Sequence, residues 1–391
     1  MIDRQRLGLV SALGLTQTLA WASSYYLPAI IADRMARDTG VSPTWIFAAF
    51  SISLATSGLL GPRVGRTIDV LGGRGVLAVS NLILANGLLL LAVAQGPLTL
   101  AVAWFVLGMG MGLGLYDTAF ATLGRIYGDT ARGAITGISL IAGFASTIGW
   151  PLTAWGAEAL GWRATCLAWA VAHIAIGLPL NLLFIPKAAK PPHSVEKTAL
   201  PQIPMDRTMW LLAFAFAAGW TVSTAMAAHL PRILESAGAT TVQAVAAGAL
   251  IGPAQVAARV LEAGFLSRFH PLLSARLSTL THPIGAALLL IGGGGLFSSA
   301  FTLLHGAGNG ILTIARGTVP LAVFGPENYG YRLGLIGAPA RITQAAAPLL
   351  FGVLIERWGS GVLYVSSALC LCACVSLVMV GPILSGSSTS Q

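Results

Sequence analysis

Four charged side chains stand in stretches that otherwise carry almost no charge. Asp117 lies in "GMGMGLGLYDTAF", Arg259 in "GPAQVAARVLEAGF", Arg316 in "ILTIARGTVPL" and Arg341 in "APARITQAAAP". A guanidinium presents paired donors that match a carboxylate, and a charge held among apolar residues calls for a counter-charge or a function. These residue types can bind an organic anion or pair with one another. The carboxylate can also take up and release a proton.

The elements that must position them follow from composition. The chain has 391 residues, 55% hydrophobic and 9% charged, with a mean hydropathy of +0.80. Soluble domains carry about a quarter charged residues, so this is an integral membrane protein. The 22 Lys and Arg against 13 Asp and Glu do not signal nucleic acid, because they cluster in short loops at the ends of apolar runs. The four cysteines, Cys166, Cys370, Cys372 and Cys374, lie within such runs and read as packing residues rather than disulfides or metal ligands. The apolar stretch after "MIDRQR" continues to about residue 32, too long for a cleaved leader, and reads as a first span.

A helix needs about 20 apolar residues to cross the hydrocarbon core, and helices are the expected element because lipid cannot satisfy an open strand edge. Twelve such runs are predicted: 7–32, 44–64, 75–95, 97–124, 133–157, 163–185, 208–233, 241–266, 276–292, 295–323, 332–356 and 361–384. The polar, proline-rich stretch 186–207 separates residues 1–185 from 208–384 as two sets of six, and 385–391 reads as a disordered tail. The expected fold is therefore all-α, with twelve transmembrane helices in two pseudo-symmetric six-helix bundles.

Loop charges set the orientation. One side holds Arg4, Arg6, Arg63, Arg66, Arg74, Arg125, Arg132, Lys187, Lys190, Lys197, Arg207, Arg268, Arg276 and Arg332; the other holds Arg34, Arg37, Arg163, Arg232 and Arg357. This asymmetry predicts a cytoplasmic linker and cytoplasmic termini in a multi-pass protein of a bacterial inner membrane. The halves also echo each other. Gly61-Pro62 matches Gly252-Pro253, Leu27-Pro28 matches Leu230-Pro231, Pro151 matches Pro348 and Arg132 matches Arg332, at offsets a duplication would leave.

After the second run comes "GRTIDVLGGRGVL", residues 65–77. Gly65, Asp69, Gly72, Arg74 and Leu77 fall on a loop pattern that resembles that of the major facilitator superfamily, while Val70 and Gly73 replace two of its arginines. Glycines permit the tight turn, and Asp69 is placed to meet a helix N-terminus or an arginine of the other half, with Arg66 a partial stand-in for the missing cations. The resemblance spans the chain and implies a transporter working by alternating access, with its site between the bundles and spans one, four, seven and ten around it. In that superfamily this loop helps hold the cytoplasmic side closed.

Gln17, Trp21 and Ser24 share a face of span one with Tyr25 and Tyr26 just beyond, either a ligand-binding wall or interfacial aromatic anchors. His229, one turn from Met226, reads as a proton relay or substrate contact, with soft-metal binding as the lesser alternative. Arg259 on span eight and Arg341 on span eleven are similar to the cations of the superfamily's monocarboxylate and oxalate porter branch; the other reading of Arg341 is a cap on helix carbonyls. Gln255 stands where some monocarboxylate carriers have an acid. Asp117, read as the one deep carboxylate, is expected opposite Arg316, on a face with Gly110, Gly114 and Ala121. The pair is either a gate broken by a proton or by a competing anion, or a static ion pair.

Span five, "GFASTIGWPLTAWGAE", departs from the drug–proton antiporter pattern, with Trp150 after Gly149. The expected partners are the lipid bilayer, a small anionic substrate and protons, in a monomer without cofactor, metal or nucleic acid. Efflux of hydrophobic compounds and a transport-derived receptor are the alternatives. No Ser/His, Cys/His or phosphate-binding arrangement points to an enzyme.

Overall fold

The computed structural model describes residues 4–188 and 203–381. Lys190, Lys197, most of the 186–207 linker and the 385–391 tail lie outside the described residues. Every regular element among the described residues is helical.

Among the described residues, twelve spans are built from seventeen α-helices. Span one is α1 (Arg4–Ala20), a π-helical turn Trp21–Tyr25 and, past Leu27, α2 (Pro28–Thr39). Spans two and three are α3 (Pro43–Leu71) and α4 (Gly73–Ala92). Span four is α5 (Pro97–Gly114) plus α6 (Tyr116–Tyr127); span five is α7 (Arg132–Ile141) plus α8 (Ala145–Ala159). Span six joins α9 (Trp162–Ala172) to α10 (Leu178–Phe184) through a second π-turn, His173–Gly177. Span seven is α11 (Arg207–Ser236), and span eight is α12 (Thr241–Gly248) plus α13 (Ile251–Gly264). Spans nine to twelve are α14 (Pro271–Gly292), α15 (Leu296–Phe324), α16 (Tyr329–Trp358) and α17 (Val362–Met379).

Local chemistry fixes these ends. Ser42 and Asp206 accept from the backbone N–H groups of Trp45 and Met209, Thr240 and Gln243 form a capping box, and each satisfies donors that a helix start leaves open. Gly72 (φ 81°) turns the chain between α3 and α4, a conformation that only glycine adopts freely. Span nine, cut short in the sequence reading at residue 276, begins at Pro271, with His270 accepting from the Leu272 N–H. Side chains such as Leu183, Ile291 and Leu296 are largely exposed on the outer surface, the arrangement expected of helices facing lipid.

Helix starts test the internal repeat. Leu27 follows Arg4 by the same distance as Leu230 follows Arg207, and Pro151 follows Arg132 as Pro348 follows Tyr329. The Gly61-Pro62 and Gly252-Pro253 match does not survive. Gly61 lies 18 residues into its span and Gly252 only 11 into its own, two turns apart in depth, so Arg259 is the residue level with Gly61. A shared dipeptide carries no depth information, and here it misled.

Candidate functional site

Span four is not one helix. The glycines of "GMGMGLGL" weaken the ladder, and at Leu115 the backbone turns extended (φ −86°, ψ −172°) before α6 starts at Tyr116. Asp117 is therefore the second residue of a new helix, where the N-terminal dipole favours a carboxylate. Freed carbonyls need donors in a membrane interior. The Thr118 hydroxyl donates to Gly112 O at 3.0 Å, and Gln17 Nε2 reaches across from span one to Gly114 O at 2.6 Å. The break also splits the expected glycine face. Gly110 and Gly114 abut Leu84 and Ser80 of α4, whereas Ala121 lies against Gly330 of α16.

Two guanidinium groups converge on Asp117. Its Oδ2 lies 2.6 Å from Arg316 Nη2 and 3.9 Å from Arg341 Nη2. Both arginine side chains are 3% exposed and Asp117 is 24% exposed. Arg316 lies over the Trp220 indole at 5.5 Å and Arg341 over the Trp21 indole at 5.7 Å, so aromatic faces share the load of the buried cations. Gly58 and Gly337 admit them: a Cβ at either would press on Arg341 or Arg316. Beyond Arg341 runs a polar chain, with Arg341 Nη1 donating to Gln344 Oε1 (3.4 Å), Gln344 Nε2 to Thr224 Oγ1 (3.2 Å), and Tyr25 OH 3.5 Å from that same oxygen. Trp21 packs edgewise on Tyr25 and against Tyr116, each at 5.0 Å.

Six buried atoms around this group have no hydrogen-bond partner among the described residues: Asp117 Oδ1, Gln17 Oε1, the Nε atoms of Arg316 and Arg341, and the indole nitrogens of Trp21 and Trp220. A cavity of about 20 Å³, room for a water or two, reaches Asp117 from between spans two, four and eleven. The chamber is thus closed down on its own side chains.

Of the residues expected at a site, the structure brings together Asp117, Arg316, Arg341, Trp21, Tyr25 and Gln17. Arg259 stands apart. It is buried, and it donates to Ser139 O (3.0 Å), Gly310 O (3.4 Å) and Thr313 Oγ1 (3.5 Å), tying span eight to spans five and ten. A Cβ at Gly143, between α7 and α8, would press on its Nη1. His229 does not join; its Nε2 donates to Pro348 O at 2.7 Å, clasping span seven to span eleven. Among the described residues no group of His, Cys, Asp and Glu could hold a metal.

Sequence reasoning missed Glu262. Asp117 is not the only deep carboxylate: Glu262 is 1% exposed and accepts from Arg132 Nη2 at 3.0 Å. Arg132 also donates to Phe269 O (2.6 Å) and Leu266 O (3.2 Å). The place of Glu262 one helical turn after Arg259 on the same span was the available signal. At the end of span two, Asp69 accepts from the N–H groups of Gly330 (2.9 Å) and Tyr331 (2.8 Å), the first turn of α16. Arg66 stacks on the Tyr331 ring at 4.1 Å, and Gly65 packs so tightly that a Cβ would overlap the Gly330 carbonyl. Arg74 forms no hydrogen bond or ion pair among the described residues. Two clasps therefore join the halves at one end of the molecule.

One Ser/His contact does form among the described residues. Ser23 Oγ lies 2.8 Å from His173 Nε2, and His173 Nδ1 lies 2.8 Å from Asn81 Oδ1. These residues come from three spans, which is why no spacing announced them. Ser23 and His173 are fully buried, so no substrate carbonyl reaches the hydroxyl and the contact is not a nucleophile site.

Comparison with known proteins settles the family. The profile of the Major Facilitator Superfamily matches residues 13–303. The chain belongs to the major facilitator superfamily. This superfamily member is 28% identical over 349 residues to a Thermoproteus tenax protein called an uncharacterized 38 kDa protein in a 23S RNA operon, covering 83% of this chain and 88% of that one. Its fold matches the crystal structure of the human organic anion transporter MFSD10 (TETRAN), with a TM-score of 0.73 and 15% identity over 96% of this chain and 100% of that one. It likewise matches a crystal structure of the E. coli fucose:proton symporter FucP, with a TM-score of 0.71 and 14% identity over 97% and 100%. The superfamily fold is that of a secondary transporter, not an enzyme.

Proposed function

We propose that this superfamily member carries a small organic anion of the monocarboxylate type, coupled to protons, by alternating access. The observation that carries the reading is the convergence of Arg316 and Arg341 on the single carboxylate of Asp117. Two guanidinium groups against one carboxylate leave the chamber positive, with donor edges open on both arginines. A substrate carboxylate takes the place that Asp117 holds, and protonation of Asp117 releases Arg316 to receive it. Gln17, Trp21 and Tyr25 complete the walls, and Arg259 holds span eight against spans five and ten. The organic-anion substrate class of the human structural relative accords with this charge, and the proton coupling of the bacterial one with a titrating Asp117.

The same reading takes residues 1–185 and 208–384 as the two rocking units and 186–207 as a cytoplasmic linker in a cell membrane, with the Asp69 and Glu262 clasps closing the cytoplasmic side. The test is uptake by proteoliposomes of labelled acetate, lactate, pyruvate and succinate, with and without an inward proton gradient. Gradient-driven uptake of at least one is expected. A protein that moves none of them, and instead exports cationic dyes, overturns it.

Efflux of hydrophobic compounds is the second reading. It rests on the aromatic cluster of Trp21, Tyr25, Tyr26, Tyr116 and Phe50, and a deletion strain challenged with a compound panel distinguishes it.

A further inference from the structure

Span one changes its winding where it reaches the chamber. Residues Trp21–Tyr25 form a π-turn, with the Tyr26 N–H bonding to Trp21 O at 3.0 Å. A π-turn inserts one residue into the helix, so every later side chain is rotated by about 100° from its α-helical direction. Trp21 and Tyr25 face Arg341, Thr224 and Tyr116 from this turn. The next proline, Pro28, cannot donate to Ser24 O, so the turn lies beside a gap in the ladder.

What holds the turn lies on its other face. Span six carries its own π-turn, His173–Gly177, and its first residue points at Ser23. Asn81 Nδ2 donates to Leu77 O at 2.8 Å, which directs its Oδ1 at His173. His173 Nδ1 is thereby the donor, and its Nε2 accepts the Ser23 hydroxyl. Ser23 Oγ also lies 2.8 Å from Leu19 O, so the imidazole competes with the helix's own carbonyl for that proton. Gly177 makes room, since a Cβ there would overlap Asn81 Oδ1. All three side chains are buried, at 0%, 0% and 3% exposure, so any one left unpaired forfeits its desolvation outright.

We infer that His173 is a positioning residue: through Ser23 it fixes the π-turn of span one and so sets where Trp21 and Tyr25 stand against the substrate. This rests on the chamber being the binding site, as proposed above. Among the described residues His173 hydrogen-bonds to Ser23 and Asn81, both in its own half. Its effect is on fit, not on charge or chemistry.

The experiment uses the full-length protein labelled with 5-fluorotryptophan, the Trp21 resonance being assigned by its loss in Trp21→Phe. Ser23→Ala and His173→Leu are compared with His282→Leu. His282 is an equally buried histidine, 2.8 Å from Ser366 and 3.0 Å from His305 in the other half, away from the chamber. Ser23→Ala and His173→Leu are expected to shift the Trp21 resonance and raise KM for labelled lactate about tenfold, with Vmax changed less than about threefold. The double variant is expected to be no worse than either single one, the mark of residues acting as a unit. His282→Leu is expected to lower thermal stability and leave both readouts in place. An unmoved Trp21 resonance in Ser23→Ala, the milder variant, overturns the inference, as does the same shift in His282→Leu. If the wild type transports no carboxylate, the transport reading falls while the fluorine measurement still decides the role of His173.

Discussion

Asp117 and Arg316 meet at 2.6 Å across the two halves of the molecule, with Asp117 the second residue of a helix that begins just past the Leu115 break. The carboxylate is thus held by an interhalf cation and by an N-terminal dipole from its own half. Of the two holds, only the first must break when the halves separate.

The pair's protonation is tested by Asp117→Asn. Uptake of labelled lactate by this variant is expected to lose its dependence on a pH gradient while counterflow exchange persists. Unchanged gradient-driven accumulation in proteoliposomes sinks the coupling role.

Removing one member of a buried pair strands the other. Asp117→Leu leaves Arg316 at 3% exposure beside the like charge of Arg341 and is expected to lower stability by about 3–5 kcal/mol. Asp117→Leu combined with Arg316→Leu is expected to recover most of the loss without recovering transport. Thermal unfolding in detergent reads both, and a double variant no more stable than the single one counts against the pairing.

The two clasps at one end of the molecule are expected to act together. Asp69→Ala removes a cap worth about 1 kcal/mol, and Glu262→Ala strands the partly exposed Arg132. Each is expected to raise the labelling rate of a cysteine introduced at Thr118, in the cavity beside Asp117, several-fold, and the double variant more than either. Equal labelling in wild type and double variant refutes a gating role for this end.

A pH effect separate from transport is expected at the opposite end, outside the apolar stretch of span one. There Asp38 accepts from the Trp162 indole at 2.8 Å and from Arg163 at 2.9 Å. The indole hydrogen bond, then Arg163 beside it, holds the Asp38 carboxyl below the ordinary carboxylate range. A depressed folded-state value means stability present above that range and lost as pH falls through it. The carboxylate is half exposed, so the contribution is under about 1 kcal/mol. Asp38→Asn is expected to lower the melting temperature slightly at pH 7 and by progressively less as pH falls below the ordinary carboxylate range; a drop that does not diminish with pH removes the electrostatic account.

How much of this the sequence disclosed varies with the physics involved. Spans and their number were legible because a membrane allows one answer to backbone satisfaction: a helix of sufficient apolar length. Asp69 was legible because a turn flanked by glycines puts a carboxylate where a helix end can use it. The pairing of Asp117 with Arg316 followed from matched depth on spans expected to face each other. The break at Leu115 was not legible, because glycines permit an interruption without requiring one, and its cost depends on Gln17 arriving from another span to bond Gly114 O. Glu262 was overlooked because a charge near a span end looks like an interfacial charge until the partner half covers it.

The amino-acid sequence by itself determined the element type, the count of spans and which residues are charged within them, since each follows from local hydropathy and charge read along the chain. Tertiary structure alone decided which charges meet. Arg341 rather than Arg259 stands beside Asp117, His229 holds a helix backbone, and His173 reaches Ser23. The physical reason is that helix rotation and register come from packing among spans far apart in sequence. A single π-turn or broken ladder bond turns every later side chain to a new face, and no local pattern records it.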